Sequence, residues 1–145
     1  PKKSMTKKSI RRINNALLGL IGKAEFVIVD SFSAHPAMFS VLNKADETIF
    51  VTNDDFPSIA KSKDIIQRME QRGLNVIGVV LNKKQKGSNH KHLEAVLDKK
   101  LIAALPHDQK VIDSINLRQP VYLTHPRSDI SKAISELSAL LDVFK

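Results

Sequence analysis

Apolar positions along this chain alternate between two periods. Between Thr6 and Lys23, the residues Ile10, Ile13, Leu17, Leu20 and Ile21 recur at the spacing of one helical face within a basic segment. EFVIVDSFSA, residues 25 to 34, changes the pattern: the apolar run Phe26 to Val29 leads into Asp30 and then into small and hydroxylated residues. It predicts a short buried strand ending in a carboxylate. Runs of the same kind follow in ETIFVT (47–52), NVIGVVL (75–81) and LIAAL (101–105). Helical punctuation separates them. PSIAKSKDIIQRMEQRG (57–73) has Pro57 in a first turn, Ile59, Ile66 and Met69 on one face, and Gly73 as a stop. HLEAVLDKK precedes the fourth run, DQKVIDSIN and DISKAISELSALLDVF read as two further helices, and PVYLT (120–124) as a short edge strand. Continuous rather than alternating apolar strands, separated by helices, argue for an α/β protein with a mostly parallel sheet flanked by helices on both faces.

In such sheets ligands gather beyond the carboxyl ends of the strands. The stretches to inspect are Asp30 to Ala34, Thr52 to Asp55, Asn82 to Gly87 and Pro106 to Asp108. Each residue alone is explained as a turn or helix cap. Their joint appearance at one predicted sheet edge points to a shared pocket.

Composition narrows the class. The 145 residues, 42% of them hydrophobic, suit one globular domain with a real core, and no apolar run reaches the roughly 20 residues that cross a bilayer. PKKSMTKKSIRR lacks the apolar segment of a secretory signal, so a soluble cytoplasmic protein is expected. Without cysteine, disulfides and thiolate metal sites are excluded. A formal charge of +8 favours phosphate-rich partners, although aromatic residues are only 5% and no stacking platform interleaves the basic clusters.

FVIVDSFSA, ADETIFVTN, GLNVIGVVLNK and LIAALPHDQKVIDSINLRQPVY, in that order and spacing, resemble the C-terminal half of the MinD/ParA family of deviant-Walker ATPases, its MinD branch most closely. Residues 1–23 then read as a basic helical lead-in and 24–145 as the family-like core of a single, partial nucleotide-binding domain. The resemblance implies a three-layer P-loop NTPase-like fold with its N-terminal strands missing, a role in cell division or partition, and ATP or ADP with Mg as cofactors of the complete protein. Its Walker B aspartate helps hold water on the nucleotide's magnesium; Asp30 matches it, as a catalytic residue touching the metal indirectly. Asn82 falls where the family reads adenine with an asparagine amide, which offers both donor and acceptor. Lys83 matches an often basic position, and Pro106, His107 and Asp108 match a turn whose backbone lines the adenine pocket. Asn82-Lys83 as a plain loop stays open.

Departures from the family are equally informative. Glycines stand only at 19, 22, 73, 78 and 87, so the family's Gly-rich phosphate loop with its lysine does not occur in these residues. The chain alone is therefore expected to be inactive as an ATPase. Phe32 and Ala34 replace the usual Pro and Gly after the Walker B aspartate. The family's P-loop strand would lie between the strands ending at Asp30 and Thr52. Either those two strands close up on each other, or another chain supplies the strand, or the sequence is a piece of a longer one; Pro1 fits both a processed start and an excised piece.

Other chemistry is thinner. His90 and His92 would chelate on a strand and diverge on a helix. His35 is a candidate base beside Asp30, and Asn53-Asp54-Asp55 a candidate magnesium site, with helix capping the stronger reading of the three. NKKQKGSNHKH reads as a mobile basic loop. The last helix carries an apolar stripe suited to packing on the sheet, so membrane contact through this chain is not expected. Three functions follow: part of a MinD/ParA-like ATPase holding half an adenine-nucleotide site; an inactive module that self-associates or pairs with a complete ATPase chain; and a small basic nucleic-acid-binding α/β domain, non-specific DNA being the candidate partner.

Overall fold

A computed structural model describes residues 6–31 and 39–142. Strands β1 (Thr48–Asn53), β2 (Val76–Lys84) and β3 (Leu101–Pro106) form one parallel sheet in the order β1-β2-β3. Helix α3 (Phe56–Glu70) connects β1 to β2, and α4 (His90–Leu97) connects β2 to β3. Phe50 of β1, Val76 and Val79 of β2, Ile66 and Met69 of α3, and Leu97 of α4 form the buried core. Val79 and Val80 point to opposite faces yet are 0% and 2% exposed, so β2 is covered on both sides, as its unbroken apolar run requires. Helix α7 (Asp129–Leu141) packs against β3 and buries Ile130. The parallel sheet flanked by helices matches the architecture read from the sequence.

Local chemistry sets the helix ends. Asp55 caps α3 by accepting from Ser58 N at 2.8 Å, with Pro57 in the first turn. Gly73, at φ +80°, reverses the chain after α3, and Leu74 N returns to the Met69 carbonyl at 3.1 Å. The basic lead-in forms α1 (Lys7–Leu18), capped by Thr6, and ends at Gly19 rather than running to Lys23. A short α2 (Phe39–Leu42) lies close to α3, where the Arg72 guanidinium sits 4.0 Å over the Phe39 ring.

Two expected strands are absent. Residues 26–30 carry no strand, and Phe26, Val27 and Ile28 are exposed, Ile28 by 87%. Strand structure needs a hydrogen-bonding neighbour, and β1 pairs with β2 alone among the described residues. The stretch ending at Asp30 has therefore not closed up on β1. PVYLT forms instead α6 (Val121–Thr124), because Pro120 and Val121 carbonyls accept from Thr124 N and His125 N at 3.2 and 2.8 Å. That local winding satisfies the backbone without a sheet neighbour. DQKVIDSIN forms α5 (Gln109–Asn116), capped by Asp108.

Candidate functional site

Because the strands are parallel, the carboxyl ends of β1, β2 and β3 lie along one rim. Asn53 and Asn82 are cross-strand partners there, and Lys84 pairs with Pro106. The Asn82 side-chain Nδ2 donates to Asn53 Oδ1 at 3.3 Å, while the Asn82 carbonyl accepts from Asp54 N at 3.0 Å. His107 N donates to the Lys84 carbonyl at 3.3 Å, tying the third strand end to the second. Asn82, Lys83, Pro106, His107 and Asp108 are thus brought together at neighbouring strand ends. Asn82 is half-buried, Lys83 and His107 are exposed, and the Asp108 carboxylate caps α5 through Lys110 N at 3.0 Å.

Lys83 carries strain. Its φ is +54°, a left-handed conformation that costs a non-glycine residue about 1–2 kcal/mol, and the β2–β3 register shifts between Leu81 and Lys84. Nothing in the sequence marks this position, since no glycine stands there. The turn redirects the chain immediately after Asn82, and strained backbone of this kind gathers at functional sites.

The Asp54 carboxylate is engaged within the fold. Its Oδ2 accepts from Gln85 N at 2.7 Å and also from the Ser88 hydroxyl. The loop between β2 and α4 is consequently short and anchored: β2 persists to Lys84, Gly87 turns at φ +87°, and Asn89 caps α4 through His92 N at 3.3 Å. Only residues 85–89 of the basic loop expected from NKKQKGSNHKH lie outside β2 and α4. His90 and His92 fall in the first turn of α4.

Asp30 is exposed and follows the stretch 26–29, which carries no strand. Beside it, Ser31 Oγ is buried with no hydrogen-bond partner, a spare polar atom that fits a site with a bound group. His35, Phe32 and Ala34 lie outside the described residues. Along β1, an open cleft of about 210 Å³ is lined by Val51, Asn53, Ser58, Lys61, Ser62 and Ile65 among others. Thr52 and Ser62 close its floor with a buried contact of 2.7 Å between their hydroxyls. On α1, Lys7, Lys8 and Arg11 surround a second open depression. No helix among the described residues is long and apolar enough to cross a membrane.

A parallel sheet with its polar rim at the strand ends and helices on its flanks defines the doubly wound α/β class. Within that class, the fold is that of the MinD and ParA ATPases. MinD from Pyrococcus horikoshii, solved with Mg-ADP, superposes with a TM-score of 0.81 and 21% identity over 92% of this chain and 56% of its own. A ParA-family ATPase from Chlorobium tepidum gives 0.77, at 21% identity, over 89% of this chain and 58% of its own. In sequence, an uncharacterized ATP-binding protein of Methanocaldococcus jannaschii is 28% identical over 103 residues, 69% of this chain and 39% of the relative. No protein-family model matches the chain. The chain spans well under two thirds of each of these relatives.

Proposed function

We propose that this chain carries the base-reading half of an adenine-nucleotide site in a MinD/ParA-like ATPase of cell division or partition. The observation that carries the reading is the Asn82 amide, held half-buried at the tip of the central strand next to the Pro106–Asp108 turn. Its remaining N–H and its carbonyl oxygen match the donor and acceptor of an adenine edge. Asp30, with the unpartnered Ser31 hydroxyl beside it, is the residue that would face the magnesium and its water. Lys83 adds a cation at the rim. The phosphate-binding loop is not among these 145 residues, so that half of the site is supplied from elsewhere. Magnesium would supply charge neutralisation of the phosphates when bound.

In the full-length protein, Asn82→Ala should weaken ADP binding by about tenfold or more, read by calorimetry, with the circular dichroism unchanged. Undiminished affinity would remove Asn82 from the site and refute the reading.

A second reading is favoured by β1, which pairs along one edge only among the described residues. Val51 is 59% exposed there although parallel sheets are ordinarily covered on both faces, and the apolar stretch 26–28 is exposed as well. An inactive module that pairs with a complete ATPase chain would cover both. Turnover by the full-length protein without any added ATPase separates the readings: activity supports the first, and its absence with restored activity on mixing supports the second.

A further inference from the structure

Asp54 follows the end of β1 and grips the end of β2 at two points. Its N–H donates to the Asn82 carbonyl at 3.0 Å, while its Oδ2 accepts from Gln85 N at 2.7 Å and from the Ser88 hydroxyl. Between those points stands Lys83, at φ +54°, with its own carbonyl held by Gln85 Nε2 at 3.2 Å. The pairing with β3 shows what this turn does. Leu81 pairs with Ala104 and Lys84 with Pro106, so β2 carries one residue more than β3 across the step. An extra residue of this kind bends its strand and re-aims the side chains around it. Here it leaves Asn82 in register with Asn53 of β1 and returns Lys84 to β3, where the Lys84 carbonyl accepts from His107 N at 3.3 Å. The backbone at Lys83 thus sets Asn82 beside the Pro106–Asp108 turn.

A lysine does not hold a left-handed backbone unaided, because its Cβ crowds the following carbonyl oxygen. Such a residue persists when its surroundings fix the chain on either side. Asp54 fixes both sides, through its amide at Asn82 and through its carboxylate at Gln85 and Ser88. We infer that Asp54 is a positioning residue: by bridging Asn82 to Gln85 and Ser88 it holds the turn at Lys83, and so keeps Asn82 in place beside the Pro106–Asp108 turn for nucleotide binding. The inference rests on Asn82 binding the base, as proposed above. The role holds for either orientation of the Asn82 amide and needs no contact between Asp54 and the nucleotide.

The test is a double-mutant cycle on Kd for ADP, measured by calorimetry in the full-length protein. Asp54→Ala removes the carboxylate and should weaken ADP about tenfold, yet by less than about twofold in an Asn82→Ala background, because the side chain it positions is then gone. Asp54→Asn keeps an acceptor for Gln85 N and the Ser88 hydroxyl and should restore binding to within about twofold of the wild type. Ser88→Ala takes away one of the two donors to the carboxylate, so it is the milder variant. It should weaken ADP about threefold, again only where Asn82 is present. General loosening of the rim would lower affinity equally with and without Asn82. Equal losses in the two backgrounds, wild-type affinity in both Asp54→Ala and Ser88→Ala, or no rescue by Asp54→Asn overturns the inference while leaving the site reading intact. Unchanged ADP affinity in Asn82→Ala alone overturns both.

Discussion

Gly78 sets the spacing between β2 and β3, and so the relation between the two strand ends that carry Asn82 and Pro106. An ideal Cβ at Gly78 would lie 2.4 Å from Ile102 Cγ2, 3.1 Å from the Lys100 carbonyl oxygen and 3.4 Å from Ile102 Cβ. Carbon contacts are comfortable at about 3.5–4.0 Å, so the methyl of an alanine needs roughly 1 Å of separation that the structure does not offer. Neither neighbour recedes easily. Ile102 is β-branched and stiff at χ1, and the Lys100 carbonyl is tied to Val79 N at 2.9 Å. Overpacking of this kind costs about 1–3 kcal/mol, offset by roughly 0.4–1 kcal/mol from the less flexible unfolded chain. Gly78→Ala should therefore destabilise by about 1–2 kcal/mol, lowering the urea midpoint by on the order of 1 M at unchanged slope. Ile102→Ala removes the clashing methyl. In a double-mutant cycle the two changes should couple by about 1 kcal/mol in the relieving direction. Strict additivity, or a Gly78→Ala protein as stable as the wild type, would refute the argument that Ile102 is what excludes a side chain here.

Two further perturbations probe the rim. Asp54→Ala should cost about 1–2 kcal/mol and accelerate hydrogen exchange at the Gln85 amide, because the anchor of the β2–α4 loop is lost; wild-type protection at Gln85 would contradict that role. Lys83→Gly should relieve the left-handed backbone and raise Tm by about 4 °C per kcal/mol gained, while weakening ADP binding if the ammonium faces the nucleotide; an unchanged or lower Tm argues against stored strain at Lys83.

What could be read from the sequence follows from where each residue's partner lies. The central strand was legible because NVIGVVL is apolar on both faces and is covered on both, and α3 because Pro57 and Gly73 act locally. The run at Phe26–Val29 is just as apolar, but hydrophobicity expresses a demand for cover without saying whether a neighbouring backbone exists to pair with. Among the described residues β1 pairs with β2 alone, so the run has joined no strand ladder there. PVYLT misleads in the opposite way: its Val and Tyr favour strands, yet four residues wind against the Pro120 and Val121 carbonyls once no sheet edge claims them.

At the site the same rule separates Asp55 from its two neighbours. Asp55 meets Ser58 three residues on, so capping was visible in the spelling. Asn53 and Asp54 meet Asn82 and Gln85, 29 and 31 residues away, and those partners become adjacent only when β1 and β2 pair in register. A one-residue slip of that register would turn Asn53 away from Asn82 and undo the amide contact. The buried Phe50 and Thr52 on one face of β1, with Thr52 meeting Ser62 at 2.7 Å, are what prevent the slip. The contact between two polar amides at the rim is thus kept by packing on the buried face of β1. Residue identity at Asn82 supplies the chemistry, and the buried face of β1 supplies its cross-strand neighbour.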